Sequence, residues 1–382
     1  MKRPNPFLYL PTVWLAGIYA RLKGQRIRRL TRIKRPAIVL ANHTSFPDFL
    51  YSTTALFPIR LTYVAVDKMF YMPLEGLFLR LGRAIPKCLF QPDLRAGINI
   101  FKILKRKGVV CIYPEGQISP IGKTLTPPFQ IAKLIKKAAV NVYVCKHHGA
   151  YLAHPPWTKK HFKGRVETVV DLLMDRQAIE QLDNNAIYER IRQGLDYNAS
   201  LDNQTRQWRY KVTDISNFES VIYQCPVCRA ETMATRQNIL YCQTCGHEMV
   251  YDDYGMVGGQ SIDTLYGMQE DHVCAYIRAN PDFRFDVPVA LESYQGKRIR
   301  TVGAGTLSLT YAHYRYEGTM HGNHVTLTFQ TKDVPTLPSD IGINVQIYSD
   351  YILYQFVIKG DRKMATKLVI AGETLYQLNQ GV

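Results

Sequence analysis

The segment Asn42-His43-Thr-Ser-Phe-Pro-Asp48 brings an imidazole and a carboxylate within a few residues of each other. An imidazole held by a carboxylate has a fixed tautomer and a stabilised imidazolium, the two properties a general base needs. Such a base takes the proton of a substrate hydroxyl directly, with no serine or cysteine nucleophile. The same residues allow a plainer reading, because Ser45-x-x-Asp48 is also a capping box in which the carboxylate satisfies a helix start. The second chemistry-bearing pattern is Cys225-Pro-Val-Cys228 followed by Cys242-Gln-Thr-Cys245. Four thiolates in two such pairs close a tetrahedral shell around zinc, with redox dithiols or an iron site as the weaker alternatives, and Gly246 permits the tight turn after the second pair. A closed shell has no open coordination position, so the expected zinc is structural and His247 lies outside it. Cys88, Cys111, Cys145 and Cys274 lack ligand spacing and read as small core residues.

Elements must place these groups. Ala37-Ile-Val-Leu-Ala41 reads as a buried strand, so His43 falls just past its C-terminal end, where open α/β sheets put their ligands. Ser45 to Phe57 reads as a helix with Pro47 in its first turn. Asp93 caps a helical stretch that Gly108 ends, and Val109-Val-Cys-Ile-Tyr113 is a second buried strand. Pro128 to Ala139 is a Lys-rich helix and Val140 to Cys145 a third strand. This alternation predicts an α/β domain with a mostly parallel sheet to about residue 190. Residues 176–197 read as an exposed helix and Asn198 to Gln207 as a polar link. From Phe283 onward period-2 patterning predicts consecutive strands, closed by a helix from Arg362 to Asn379.

The second strand ends in Tyr113-Pro114-Glu115-Gly116. Paired with Asn42-His43-Thr-Ser-Phe-Pro-Asp48, and preceded by an amphipathic N-terminus, this motif resembles the glycerolipid acyltransferase family, best known from lysophosphatidate acyltransferase. The resemblance covers roughly residues 7–190. It implies that His43 activates the acceptor hydroxyl, that Asp48 orients it, and that the hydroxyl attacks an acyl thioester with no covalent acyl-enzyme. It implies an acceptor region of Asn42, Ser45, Gly82, Arg83, Lys87, Tyr113, Pro114, Glu115 and Gly116. The implied partners are acyl-CoA or acyl carrier protein and a lysophospholipid. Three departures bear on the acceptor. The family's Glu-Gly-Thr-Arg reads Glu115-Gly116-Gln117-Ile118; Lys87 stands one place before the usual Arg of the second motif; and the fourth-motif prolines are missing from Val140 to Val144. A lysine neutralises phosphate but lacks the guanidinium fork. The final strands and helix resemble, in architecture alone, the pleckstrin-homology/GRAM-like barrel.

The chain has 382 residues, 46% apolar and 21% charged, which excludes a disordered tail or a polytopic membrane protein. Its charge is lopsided: residues 1–165 carry 29 basic and five acidic side chains, net +24, and the remainder is −7. A basic half suits a polyanion such as an anionic membrane surface. The run Phe7 to Ala20, interrupted by Pro11 and followed by Arg21, Lys23, Arg26, Arg28 and Arg29, is too short to span a bilayer. It reads as a monotopic anchor in the interface, or alternatively as a core helix. The expected organisation is an anchor over 1–30, an acyltransferase domain over 31–207, a zinc ribbon over 208–258 and the β domain over 259–382, held peripherally at the cytoplasmic face of the cell membrane. Two other classes compete: a catalytically weak lipid-binding or regulatory protein that keeps the fold, and a nucleic-acid-binding zinc ribbon. Glu231, Glu248, Asp252 and Asp253 around the cysteines argue against nucleic acid.

Overall fold

The computed structural model describes every residue except Met1, Phe90, Pro92, Lys297 and Val382. The chain forms two compact units, Met1–Val212 with Asp253–Gly255, and Thr213–Asp252 with Met256–Val382.

The first unit opens with α1 (Pro6–Leu22), β1 (Gln25–Arg29), β2 (Ala37–Ala41) and α2 (Asp48–Ala55). It continues through β3 (Leu61–Val66), α3 (Pro73–Leu81), β4 (Ile85–Lys87), α4 (Leu94–Lys105) and β5 (Val109–Ile112). The remainder is α5 (Gln130–Ala138), β6 (Asn141–His148), α6 (Ala150–Ala153), β7 (Val166–Met174), α7 (Arg176–Gln181), α8 (Asn184–Leu195) and α9 (Ala199–Arg206). The strands form one sheet in the order β1-β7-β6-β2-β5-β3-β4. Every pair is parallel except β6 with β7. The mostly parallel sheet expected from the strand–helix alternation is therefore present.

All five residues of β2 are buried, as a central parallel strand covered on both faces requires. Ile38 and Leu40 join Ile103, Ile135 and Ile191 from α4, α5 and α8 on one side. Ala37, Val39 and Ala41 join Ala55, Leu56 and Tyr143 on the other. Each such Val, Leu or Ile stabilises the sheet by roughly 1.5–3 kcal/mol, and this fixes where β2 ends.

Three local readings change. Residues 176–197 are two helices rather than one exposed helix, and their Ile179, Ile187, Ile191 and Leu195 are buried. The polar link after Asn198 is α9, begun by the Asn198 side chain accepting the Leu201 N–H. The basic run Gln25–Arg29 is an edge strand. Helix α1 buries Val13 and Ala20, while Phe7 is 90% exposed and Trp14, Leu15 and Leu22 are exposed too. A core helix would hide such residues. Among the described residues no helix is long and apolar enough to cross a membrane.

The second unit begins with a three-stranded antiparallel sheet, β8 (Met233–Arg236), β9 (Ile239–Cys242) and β10 (Glu248–Val250). Next come α10 (Ile262–Ala279), β11 (Phe285–Gln295), β12 (Arg298–Leu309), β13 (His313–Met320) and β14 (Asn323–Gln330). It ends with β15 (Ser339–Asp340), β16 (Asn344–Ser349), β17 (Ile352–Ile358) and α11 (Lys363–Asn379). Strands β11–β17 form an antiparallel sheet in the order β14-β13-β12-β11-β17-β16-β15. Among the described residues β14 and β15 do not pair, so the sheet is open where the sequence predicts a barrel. Leu368, Ala371 and Leu375 of α11 are buried, and Lys367 reaches the Glu231 carboxylate beside the cysteines at 2.8 Å.

Candidate active site and metal centre

Strand β2 ends at Ala41, and the next residues turn into α2. The Asp48 carboxylate is fully buried there. Its Oδ2 accepts the Thr44 N–H at 2.8 Å and the Ser45 N–H at 2.9 Å, and lies 3.2 Å from His43 Nδ1. No side chain caps α2, whose N-cap is Pro47; the Asp48 oxygen instead ties down two amides of the loop before the helix and also meets the ring. With Nδ1–H donated to the carboxylate, Nε2 carries the free lone pair, and the side chain is 20% exposed. The ring stacks on Tyr113 at a centroid distance of 4.4 Å and an interplanar angle of 27°.

Glu115 reaches the same residue from β5. Its Oε1 accepts the His43 backbone N–H at 2.8 Å and its Oε2 the Leu125 N–H at 2.9 Å. Burial pushes this carboxyl up to about 8, against the pull of the two amide donors. The His43 carbonyl in turn accepts the Ser119 N–H at 2.8 Å. The imidazole is thus fixed by ring, by amide and by carbonyl.

The Acyltransferase family model matches residues 21–147. Those residues include both carboxylates and the histidine between them. Among solved structures, the chain is similar to the 1-acyl-sn-glycerophosphate (LPA) acyltransferase PlsC from Thermotoga maritima, with 20% identity over 48% of this chain and 77% of that one and a TM-score of 0.41. Among curated proteins none matches.

Within the first unit, several residues expected near the acceptor are committed to backbone. Asn42 is fully buried, and its Oδ1 accepts the His147 N–H at 2.8 Å, extending the β2–β6 pairing by a side chain. Ser45 Oγ donates to the His154 carbonyl at 3.0 Å. Both Glu115 oxygens are taken by amides, so that residue clamps loops. Pro114 is buried, and Gly116 closes the turn at φ +78°. Gly82 ends α3, and Arg83 donates to the Arg3 carbonyl at 2.9 Å. Lys87 ends β4 on the side of the sheet where β2 and β5 also end. It lies two strand spacings, about 10 Å, from β5. Its Nζ donates to the Cys88 carbonyl at 3.0 Å, and burial holds its ammonium below the usual lysine range.

The spacing of single residues gave no sign of a buried chain beneath the ring. Tyr113 Oη lies 3.0 Å from Ser52 Oγ, Ser52 Oγ lies 2.8 Å from His147 Nε2, and His147 Nδ1 lies 3.2 Å from Thr168 Oγ1. Burial lowers His147 to about 4, so it is neutral at physiological pH and holds Ser52 by hydrogen bonding.

In the second unit Cys225, Cys228, Cys242 and Cys245 bring their sulfurs within 4.8 Å of one another. Cys225 and Cys245 are 3.7 Å apart, and Cys228 and Cys242 3.6 Å. A tetrahedron with Zn–S bonds of about 2.3 Å has S···S edges of about 3.8 Å, so the four sulfurs fit a zinc ion. The two pairs repeat one backbone pattern. Arg229 N–H donates to Cys225 O at 3.0 Å and Gly246 N–H to Cys242 O at 2.9 Å. Arg229 at φ +62° matches Gly246 at φ +75°. The Gly was legible in the sequence as a turn residue; the Arg was not.

Proposed function

We propose that the protein is a membrane-surface acyltransferase that moves a fatty acyl group from an acyl thioester to the hydroxyl of a lysophospholipid. His43 Nε2 takes the hydroxyl proton as the oxygen attacks the thioester carbonyl carbon. The tetrahedral adduct collapses, the C–S bond breaks, and the thiolate leaves with the proton returned by the imidazolium. Asp48 holds the ring in the tautomer this needs and stabilises the charged form. The observation that carries the reading is the Asp48 Oδ2–His43 Nδ1 contact at 3.2 Å with the ring still partly exposed.

A lipid acceptor is supported by apolar side chains open to the outside: Phe46 and Phe49 flanking Asp48, Leu74, Leu77 and Phe78 on α3, and those of α1. With the basic excess of residues 1–165 they suit peripheral attachment to the anionic cytoplasmic face of the membrane, where each surface Lys or Arg adds about 1 kcal/mol of attraction. Lys87 is the cation we assign to the acceptor phosphate. Cys225, Cys228, Cys242 and Cys245 would hold a structural zinc that substitutes for the core a small ribbon lacks.

Thiol release from acyl-CoA with lysophosphatidate as acceptor tests the reading. His43→Ala is expected to lower turnover by about 10²–10⁴ with an unchanged circular dichroism spectrum. Full turnover in that variant rejects the mechanism. Wild-type protein that binds lysolipid and consumes no acyl-CoA identifies instead a lipid-binding protein on an acyltransferase fold.

A further inference from the structure

On the flank of the first unit's sheet away from β4, three chain segments line one open groove of about 580 Å³. They are residues 24–26 entering β1, residues 163–165 entering β7, and residues 209–211 after α9. Their backbones are tied together: Val166 N–H donates to Gly24 O at 3.2 Å and Lys211 N–H to Lys163 O at 3.1 Å. Lys163, Arg165, Arg209 and Lys211 line the groove together with Arg26. Glycine makes the close approach possible. A Cβ on Gly24 would meet Gly164 O at 2.4 Å, and one on Gly164 would meet the Tyr210 ring at 2.0 Å.

The charge in this groove is not balanced by the protein. Asp253 is the carboxylate in the lining and is held by Arg209 at 2.8 Å. Arg165 pairs with Glu167 at 2.9 Å, but Glu167 also meets Arg206 at 3.0 Å and Arg28 at 3.9 Å. Arg26, Lys163 and Lys211 make no ion pair among the described residues. Convergent cations on three joined segments call for a polyanion with more than one charged group.

The groove's position says which. Because β7 runs against β6, β1 begins where β2 ends: Ala41 pairs with Cys145, His148 with Glu167, and Glu167 with Arg26. Arg26 is therefore level with the start of the His43 loop, three strand spacings, about 14 Å, along the sheet. It lies on the flank opposite Lys87. We propose that this groove binds the phosphates of the acyl donor, a nucleotide-linked pantetheine thioester of the coenzyme A type. An extended pantetheine arm spans a distance of that order, which sets the phosphates in the groove and the thioester carbonyl at His43. This assignment rests on the acyl-transfer reading above and adds the donor's site to it.

Calorimetric titration of the full chain in detergent with free coenzyme A, which is not turned over, tests it. Lys163→Glu/Lys211→Glu is expected to bind coenzyme A at least tenfold more weakly and to raise the KM for acyl-CoA at least tenfold with kcat within twofold. The Lys163→Gln/Lys211→Gln variant is expected to fall between, and His43→Ala to bind as wild type does. A folded Gln or Glu double variant with wild-type coenzyme A affinity overturns the proposal. So does a double variant that keeps that affinity but no longer floats with phosphatidylglycerol vesicles, since the groove's phosphate is then a lipid headgroup. Turnover with unchanged KM in the double variants rejects the groove and leaves acyl transfer standing. Groove-dependent coenzyme A binding in a wild-type protein without turnover rejects acyl transfer and leaves the groove.

Discussion

The carboxylate of Glu115 holds His43 by its backbone: Oε1 accepts the amide N–H at 2.8 Å, while the ring is left to Asp48. Two carboxylates thus divide the work. One sets where the loop runs, the other how the imidazole faces, and the two respond differently to substitution.

Asp48→Ala removes the acceptor for two buried loop amides as well as the ring's partner. We expect a stability loss of about 1–2 kcal/mol together with a fall in kcat. Asp48→Asn keeps an oxygen for the amides, so its melting temperature should stay nearer to wild type while kcat falls at least a hundredfold. Equal kcat in the Asn variant and wild type would show that the ring needs no anion behind it. Melting curves read beside single-turnover thiol release make the comparison.

The pH dependence of stability has two arms of opposite sign. Glu115 rises from 4.5 in the unfolded chain to about 8, so between those values the native state keeps a proton that the unfolded chain has lost. Its contribution is whole below about 4.5 and is lost as pH climbs towards 8, by up to about 1.4 kcal/mol per pH unit. His147 falls from 6.5 to about 4, so the unfolded chain takes up a proton that the native state refuses, and stability drops as pH falls through that window. The two slopes cancel between about pH 4.5 and 6.5, so urea unfolding should give a plateau there that falls away on either side. Glu115→Gln should flatten the alkaline arm and leave the acid arm in place; an alkaline arm that persists unchanged would move the buried proton to another group.

The cysteine centre predicts one zinc per chain, released by a mercurial reagent and counted with a chromogenic chelator. Cys225→Ser or Cys242→Ser should lower zinc content below one equivalent and shift the calorimetric transition of the second unit downward. Retention of the full transition after complete metal removal would leave the four sulfurs without a structural task.

How much of this was readable in advance depends on where each residue's partners come from. Ala37–Ala41 and Val109–Ile112 announce themselves because a strand covered on both faces must be apolar throughout. Gln25–Arg29 does not, since an edge strand keeps its charges in water and spells no hydrophobic period. Likewise α9 was hidden by its polar composition, although Asn198 is an ordinary helix-starting residue. The His43–Asp48 pair is local and was legible. The tasks of Asn42, Ser45 and Glu115 were not, because their partners, His147 N–H, the His154 carbonyl and His43 N–H, arrive from distant parts of the chain. The open C-terminal sheet shows the same limit: period-2 patterning fixes which residues are strands, and says nothing of whether the last strand meets the first.

The one reversal in the first sheet has a consequence for everything upstream of it. Were β7 and β1 aligned with the other strands, Gln25 would stand at the far rim, a strand length or about 16 Å below His43. The turn of direction instead delivers the tail of α1 to the rim that carries His43. Near the other end of the helix, Tyr9 Oη accepts the Leu61 N–H at the start of β3, so α1 runs from the rim where the parallel strands begin to the rim that carries His43.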